Sequence, residues 1–162
     1  MTTESLEETT SAAGTIRRLQ ALAVAGWPLS RLARETGLSP YRMDRLMTAD
    51  TVPVDTARAV AAVYTRYSLA SPGLCGVSHI HARAARARAT AAGWAPAAAW
   101  DDDTIDDPAT IPQWTGHCGT VRGADLHERH GLVLCPPCEA ALHRRRIRAE
   151  ARARRALSTT RA

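Results

Sequence analysis

The sequence contains no phenylalanine, lysine or asparagine, and four tryptophans and three tyrosines are its only large aromatic side chains. Hydrophobic residues make up 45% of the 162 residues, but many of them are alanine, which buries little area. The small number of large apolar side chains does not favour one large hydrophobic core. We therefore expect two small modules joined by helical or irregular connections.

The absence of lysine means that all 21 basic residues are arginine. Together with the abundant alanine, this bias is typical of a GC-rich bacterial genome and carries little chemical information. The net charge of +5 and the isoelectric point near 9.6 are more informative. They favour a polyanionic partner such as nucleic acid.

No apolar run approaches the length of about 18–20 residues that a membrane span requires, so no membrane partner is expected. The first 14 residues, MTTESLEETTSAAG, are acidic and polar, unlike a signal peptide. We predict a cytoplasmic protein, associated with the nucleoid when bound to DNA. Disulfides are rare in the cytoplasm, so clustered cysteines there favour metal or redox chemistry.

Helical spacing of apolar residues predicts a mainly α protein: a small helix-turn-helix bundle, followed by a short zinc-stabilised finger that leads into a basic C-terminal helix. Residues rich in Pro, Gly and Asp separate the two modules. The predicted divisions are a disordered leader at 1–14, a helix-turn-helix domain at 15–67, a linker with one helix and an acidic Asp-rich segment at 68–116, the finger and basic helix at 117–157, and a tail at 158–162.

The strongest motif is LSRLARETGLSPYRMDRLM, residues 29–47. A helix-turn-helix needs a small residue where its two helices cross, and Ala33 satisfies this. It needs a residue that tolerates positive φ at the turn four positions later, which is Gly37. It also needs apolar residues that lock the helices at a steep angle. These residues are Leu32, Leu38, Met43 and Leu46.

With its flanking helices, this motif resembles the lambda-repressor/Cro-like helix-turn-helix family, over about a third of the chain. The resemblance implies double-stranded DNA as the partner, a second motif helix that enters the major groove, and action as a homodimer. Carried over by position, Ser39 caps the reading helix and Ser30 contacts a phosphate. The implied reading surface consists of Pro40, Tyr41, Arg42, Asp44 and Arg45.

The motif departs from the family at its first reading position. Pro40 stands where Gln or Asn often reads adenine, which favours arginine–guanine contacts by Arg42 and Arg45, shape readout, or only semi-specific binding. Two alternatives stay open: an ordinary helical bundle, and a helix-turn-helix that serves as a protein–protein adaptor or phage accessory factor. Asp44, between the two arginines, favours the latter. The preferred interpretation is a bacterial or phage-derived transcriptional regulator.

The cysteines outside the linker predict a metal site. Cys118, His127, Cys135 and Cys138 have the spacing C-x8-H-x7-C-x2-C, and a C-x2-C pair can place two sulfurs on one tetrahedral zinc ion. We expect glycines in this stretch to provide turns around the ion. The pattern resembles a small treble-clef or zinc-ribbon finger with one cysteine replaced by histidine, which implies structural Zn²⁺. His117 and His130 remain alternatives to His127.

Other chemistries have weaker support. Cys-Pro-Pro-Cys is similar to a thioredoxin-type active site, but such a site requires a βαβ sheet and only 24 residues, a basic helix, follow Cys138. A zinc nuclease of the His-Asn-His type would need an asparagine, and the chain has none. Cys75 is expected to be an incidental thiol. We therefore predict a binding protein rather than an enzyme.

Two charged segments complete the sequence. The basic helix over 139–157 carries arginines on several faces, so it is interpreted either as a phosphate-contacting tail or as a solvated helix. The segment DDDTIDD, residues 101–107, lacks the ligand spacing of a calcium loop. It is expected to neutralise arginine helices, for instance Arg83, Arg86 and Arg88, or to compete with DNA for the reading helix.

Overall fold

A computed structural model describes residues 8–112, 114, 116–129 and 131–159, with side chains as far as residue 157. Over this part of the chain the protein is mainly helical, as predicted, with one two-stranded sheet. The strands are β1 (Thr9–Ser11) and β2 (Thr51–Pro53), and the α-helices are α1 (Ala13–Ala25), α2 (Leu29–Thr36), α3 (Pro40–Leu46), α4 (Val54–Tyr67), α5 (His79–Ala91), α6 (Val121–Arg129) and α7 (Pro136–Thr159).

The chain divides into two compact units, and the boundary follows Pro112. The first unit has an apolar core between α1, α2, α3 and α4, in which Trp27 is fully buried and lies against Tyr67 with ring centroids 4.1 Å apart. Most side chains at the predicted helical spacing, such as Leu19, Leu32 and Val60, are buried in this core. The core of the first unit therefore follows from the helical pattern.

The N-terminal segment departs from the prediction of a disordered leader at 1–14. Of this segment, residues 1–7 lie outside the described part of the chain, while Thr9–Ser11 form β1 and pair antiparallel with Thr51–Pro53. Backbone hydrogen bonds extend the pairing on both sides, from Val54 N to Glu8 O and from Ala12 N to Asp50 O. The polar composition of the N-terminal segment did not indicate a strand, because the partner strand β2 lies about forty residues later in the sequence.

The region predicted as a linker contributes to the first unit. Helix α5 packs against α1, where the Arg86 guanidinium donates to the carbonyl of Ala25 at the end of α1. Ile105, within the acidic segment, is fully buried. That segment pairs with α1, since Asp106 accepts hydrogen bonds from Arg18, rather than with the arginines of α5. The burial of Ile105 and the Arg18–Asp106 ion pair thus hold this segment against the first unit, although its composition predicted a linker.

The second unit contains α6 and α7, which pack together. Helix α6 was not predicted, because its glycine-rich sequence was interpreted as a series of turns. Helix α7 begins three residues earlier than the predicted basic helix. The described residues of this unit contain no strand, so the ribbon implied by the zinc-ribbon resemblance is not among them. Within the described residues of the whole chain, no helix has the length and apolar character needed to cross a bilayer.

Candidate metal centre and nucleic-acid interface

The four predicted ligands of the second unit converge. The donor atoms of Cys118, His127, Cys135 and Cys138 all lie within 4.8 Å of one another. Tetrahedral zinc, with bonds of about 2.3 Å to sulfur and 2.0–2.1 Å to nitrogen, would place its donors about 3.5–3.8 Å apart. The Sγ of Cys118 already lies 3.3 Å from Nε2 of His127. These residues therefore form an arrangement that could bind a metal ion.

Local structure places each of these ligands. Cys135 precedes α7, and its carbonyl accepts the first hydrogen bonds of the helix from the amides of Cys138 and Glu139. Pro136 and Pro137 occupy the first turn, where proline is tolerated because those amides would lack helical partners. Cys138 thus lies one turn from Cys135. The motif CPPC directs both sulfurs to one point at the positive end of the helix dipole.

Cys118 lies in the turn before α6, and His127 lies within that helix. Thr120 donates from its hydroxyl to the carbonyl of His117 (2.6 Å) and accepts from the amide of Gly123 (3.0 Å), so it caps the start of α6. Gly119 has a positive φ of 87° and donates its amide to Cys138 Sγ at 3.4 Å. These polar contacts connect the two halves of the cluster, and the sequence pattern gave no sign of them.

Gly123 has a different role from the predicted turn, because it lies buried inside α6. A β-carbon at this position would overlap the carbonyl group of His117 and come within 3.0 Å of the α-carbon of Cys118. Only glycine allows the helix to approach the backbone that carries the first ligand. By contrast, Gly119 and Gly131 do form turns with positive φ.

The chemistry of the donor set suits a cation. His127 is fully buried, and its Nδ1 has no hydrogen-bond partner among the described residues. Burial raises the pKa of the Cys135 thiol to about 11; a backbone hydrogen bond from Cys138 lowers it, and the thiols of Cys138 and Cys118 raise it. A divalent ion would supply the positive charge that favours the thiolate forms.

The three histidines that were candidate metal ligands occupy different places in this structure. His127 belongs to the cluster, whereas His117 contributes a backbone carbonyl to the preceding turn. His130 lies outside the described residues. Cys75 lies in a short 3₁₀ turn of the first unit and is not part of the cluster.

The other predicted site lies on α2 and α3. These helices are joined by a turn in which Gly37 has a φ of 72° and Leu38 donates its amide to Ala33 O at 2.8 Å. Ala33 is buried where the helices meet. Ser39 caps α3 by accepting a hydrogen bond from the amide of Arg42. The local geometry is thus that of two short helices joined by a tight three-residue turn.

The predicted reading residues share one property: all of them are exposed. Ser30 lies near the start of α2, and Ser39 at the cap of α3. Met43 and Leu46 of α3 face the core, so the polar residues of that helix form its outer surface. Arg45 donates to the Tyr41 hydroxyl at 3.3 Å. The outer surface of α3 consists of Pro40, Tyr41, Arg42, Asp44 and Arg45.

Comparison with known proteins adds no relative: the chain matches no protein-family model, no curated protein and no solved structure.

Proposed function

We propose that this protein is a double-stranded DNA-binding regulator, in which α3 reads the major groove, and that a structural zinc ion stabilises its second unit. The observation that carries the DNA proposal is the pair α2–α3, with its left-handed Gly37 turn, buried Ala33 contact and exposed polar surface on α3. These features are what a reading helix needs: a rigid base and side chains free to reach base edges.

The chemistry of this surface suggests how reading would occur. Arg42 and Arg45 lie almost one helical turn apart on the exposed side, and arginine donates two hydrogen bonds to guanine O6 and N7. Tyr41 is 68% exposed and offers an apolar ring for a thymine methyl or a hydroxyl for a phosphate. Ser30, at the start of the preceding helix, is the proposed phosphate contact. The family resemblance implies a homodimer on paired half-sites.

Zinc is the metal that we propose because the donor set contains three sulfurs and one imidazole, a combination that zinc binds in structural sites. Cys118, His127, Cys135 and Cys138 would hold it. With four protein ligands the ion would have no open position, and this agrees with a protein that binds rather than catalyses.

A selection experiment tests the DNA proposal. The full chain is incubated with random-sequence duplexes, and bound sequences are recovered and compared with those bound by Arg42→Ala/Arg45→Ala. Each bidentate base contact contributes about 1–3 kcal/mol of discrimination, so selectivity should fall at least about tenfold. The matched control, Arg58→Ala/Arg83→Ala, removes the same charge from exposed positions on α4 and α5.

Two outcomes would contradict the proposal. Unchanged selectivity in the α3 variant would show that α3 is not the reader. Failure of the wild-type chain to bind any duplex would favour the second candidate, a protein–protein adaptor or phage accessory factor. The observation behind that alternative is Asp44, which is exposed between the two arginines and would repel phosphates while accepting contacts from a basic partner surface.

A further inference from the structure

A groove of about 460 Å³ lies in the second unit, between the turn before α6 and one face of α7. Four arginines of α7 line it, and no carboxylate of the described residues does. Its opposite wall is formed by the turn residues Gly119 and Thr120. The arginines are Arg144, Arg145, Arg148 and Arg152.

The charged residues of α7 are distributed unequally between two sides of the helix. Positions 144, 148 and 152 repeat every four residues and position 145 is adjacent, so these arginines share one side of the helix. The same geometry places Glu139 and Glu150, together with Arg146 and Arg154, on the opposite side. One face is therefore strongly cationic and the other nearly neutral. The arginines do lie on several faces, as expected from the sequence, but the carboxylates of Glu139 and Glu150 balance them only on the side opposite the groove.

The turn at Gly119 contacts both the Cys/His cluster and the groove. Gly119 directly follows the ligand Cys118, donates its amide to Cys138 Sγ and accepts a hydrogen bond from Arg144 Nη2 at 3.4 Å. Val121, the first residue of α6, also lines the groove, so the positive end of that helix dipole adds to the local field. The contacts that assemble the metal ligands thus also place the turn against the arginine row.

We propose that this groove binds the phosphate backbone of duplex DNA independently of sequence. The proposal rests on the proposed function in one respect only, the choice of duplex DNA as the polyanion. The distance from Arg144 to Arg152 along the helix is about 12 Å. Over that length one DNA strand presents several phosphates, spaced about 3.4 Å along the duplex axis. No aromatic side chain lines the groove, so it lacks the stacking surface that single-strand binders use.

The test measures binding of the full chain to a random-sequence duplex over a range of salt concentrations. Arg145→Gln/Arg148→Gln removes two groove charges and keeps the contact between Arg144 and Gly119. Arg146→Gln/Arg154→Gln removes two charges from the opposite face of the same helix, as the matched control. The slope of log K against log salt should become shallower by about 2 in the groove variant, with at least about tenfold weaker binding at 0.1 M salt. The control should retain nearly the wild-type slope.

Three results would overturn the proposal: an unchanged slope in the groove variant, equal losses in the groove variant and the control, or loss of single-strand but not duplex binding. Metal content and helicity are measured for each variant. If the double variant fails to fold, Arg152→Gln, one turn farther from the cluster, should still make the slope shallower by about 1. Sequence selectivity of the groove variant should be unchanged, so failure of this proposal is distinguishable from failure of α3 as the reader.

Discussion

At the residue scale, Gly123 is a position where a single added carbon atom would meet backbone within the second unit. We expect Gly123→Ala to destabilise the second unit by about 1–3 kcal/mol, because the new methyl group would overlap backbone rather than a flexible side chain. Metal affinity should fall about tenfold or more, since binding and folding are coupled in such small units. Competition with a chromophoric chelator measures the affinity.

Gly73→Ala is the matched control for this substitution. The nearest atom to a β-carbon there is 4.0 Å away, and the residue does not have a positive φ. Equal metal affinities for the two variants would contradict the role assigned to Gly123.

Asp106 provides a second prediction at this scale, through pH. The hydrogen bond from Arg18 lowers the pKa of Asp106 from its ordinary value, while partial burial opposes the shift. A depressed folded-state pKa contributes stability above the unfolded-state value of about 3.9. That stability is lost as the pH falls through the folded value. The carboxylate is 68% exposed, so Asp106→Asn should cost only about 0.5 kcal/mol at pH 7.

Urea denaturation at pH 7 and at a series of decreasing acidic pH values measures this difference. The stabilities of the variant and the wild type should converge as the pH falls through the lowered folded-state pKa of Asp106, because the wild-type carboxylate also becomes neutral there. Asp103→Asn removes the same charge from the same acidic segment and should leave stability nearly unchanged over this range. A cost that persists in acid would show that Asp106 acts through packing rather than charge.

At the scale of elements, Arg17 joins the segment after α5 to α1. Its guanidinium donates to the carbonyls of Ile105 (2.7 Å), Asp107 (2.6 Å) and Thr110 (2.8 Å), and lies 4.5 Å from the centre of the Trp100 ring. One charged side chain thus satisfies several carbonyls that no strand or helix would pair.

We expect Arg17→Gln to lower the free energy of unfolding of the first unit by about 2 kcal/mol, because several charge-assisted hydrogen bonds to exposed or partly buried carbonyls are lost together. Limited proteolysis should then cleave the segment over 101–112 faster than in the wild type. Arg34→Gln, at an exposed position of α2, serves as the control. Equal cleavage rates in both variants would mean that Ile105 and the Arg18–Asp106 ion pair hold the segment without Arg17.

At the scale of the whole molecule, the buried apolar residues of the first unit, from Ala12 to Ile105, all precede the boundary after Pro112. The metal cluster lies entirely in the second unit. We therefore expect two unfolding transitions in the full chain, of which only one responds to a metal chelator, because a ligand stabilises only the unit that binds it. Hydrogen exchange in α1 and in α7, with and without chelator, measures the two separately.

Cys135→Ser should remove the response to the chelator, whereas Cys75→Ser, the same chemical change outside the cluster, should preserve it. A single transition that shifts as a whole with metal would contradict the independence of the two units.

Much of this protein was predictable from local sequence patterns. The periodicity of apolar residues predicted the helical bundle that contains α1 to α4, because these helices bury one face and expose the other. The spacing of Cys118, Cys135 and Cys138 identified most of the ligand set, since a C-x2-C pair before a helix constrains both sulfurs. The role of α3 in reading DNA stays a prediction.

Other features of the protein depend on contacts between residues that are distant in sequence, and only the tertiary structure decided them. The pairing of β1 with β2 arises from backbone hydrogen bonds that no side-chain pattern encodes. Choosing His127 over His117 required knowing that α6 turns one histidine inward while the other supplies a carbonyl. The groove emerged in the same way, because its wall and its arginines are brought together by the turn that follows Cys118. The sequence thus determined the helices and most ligands, while long-range packing determined how they meet.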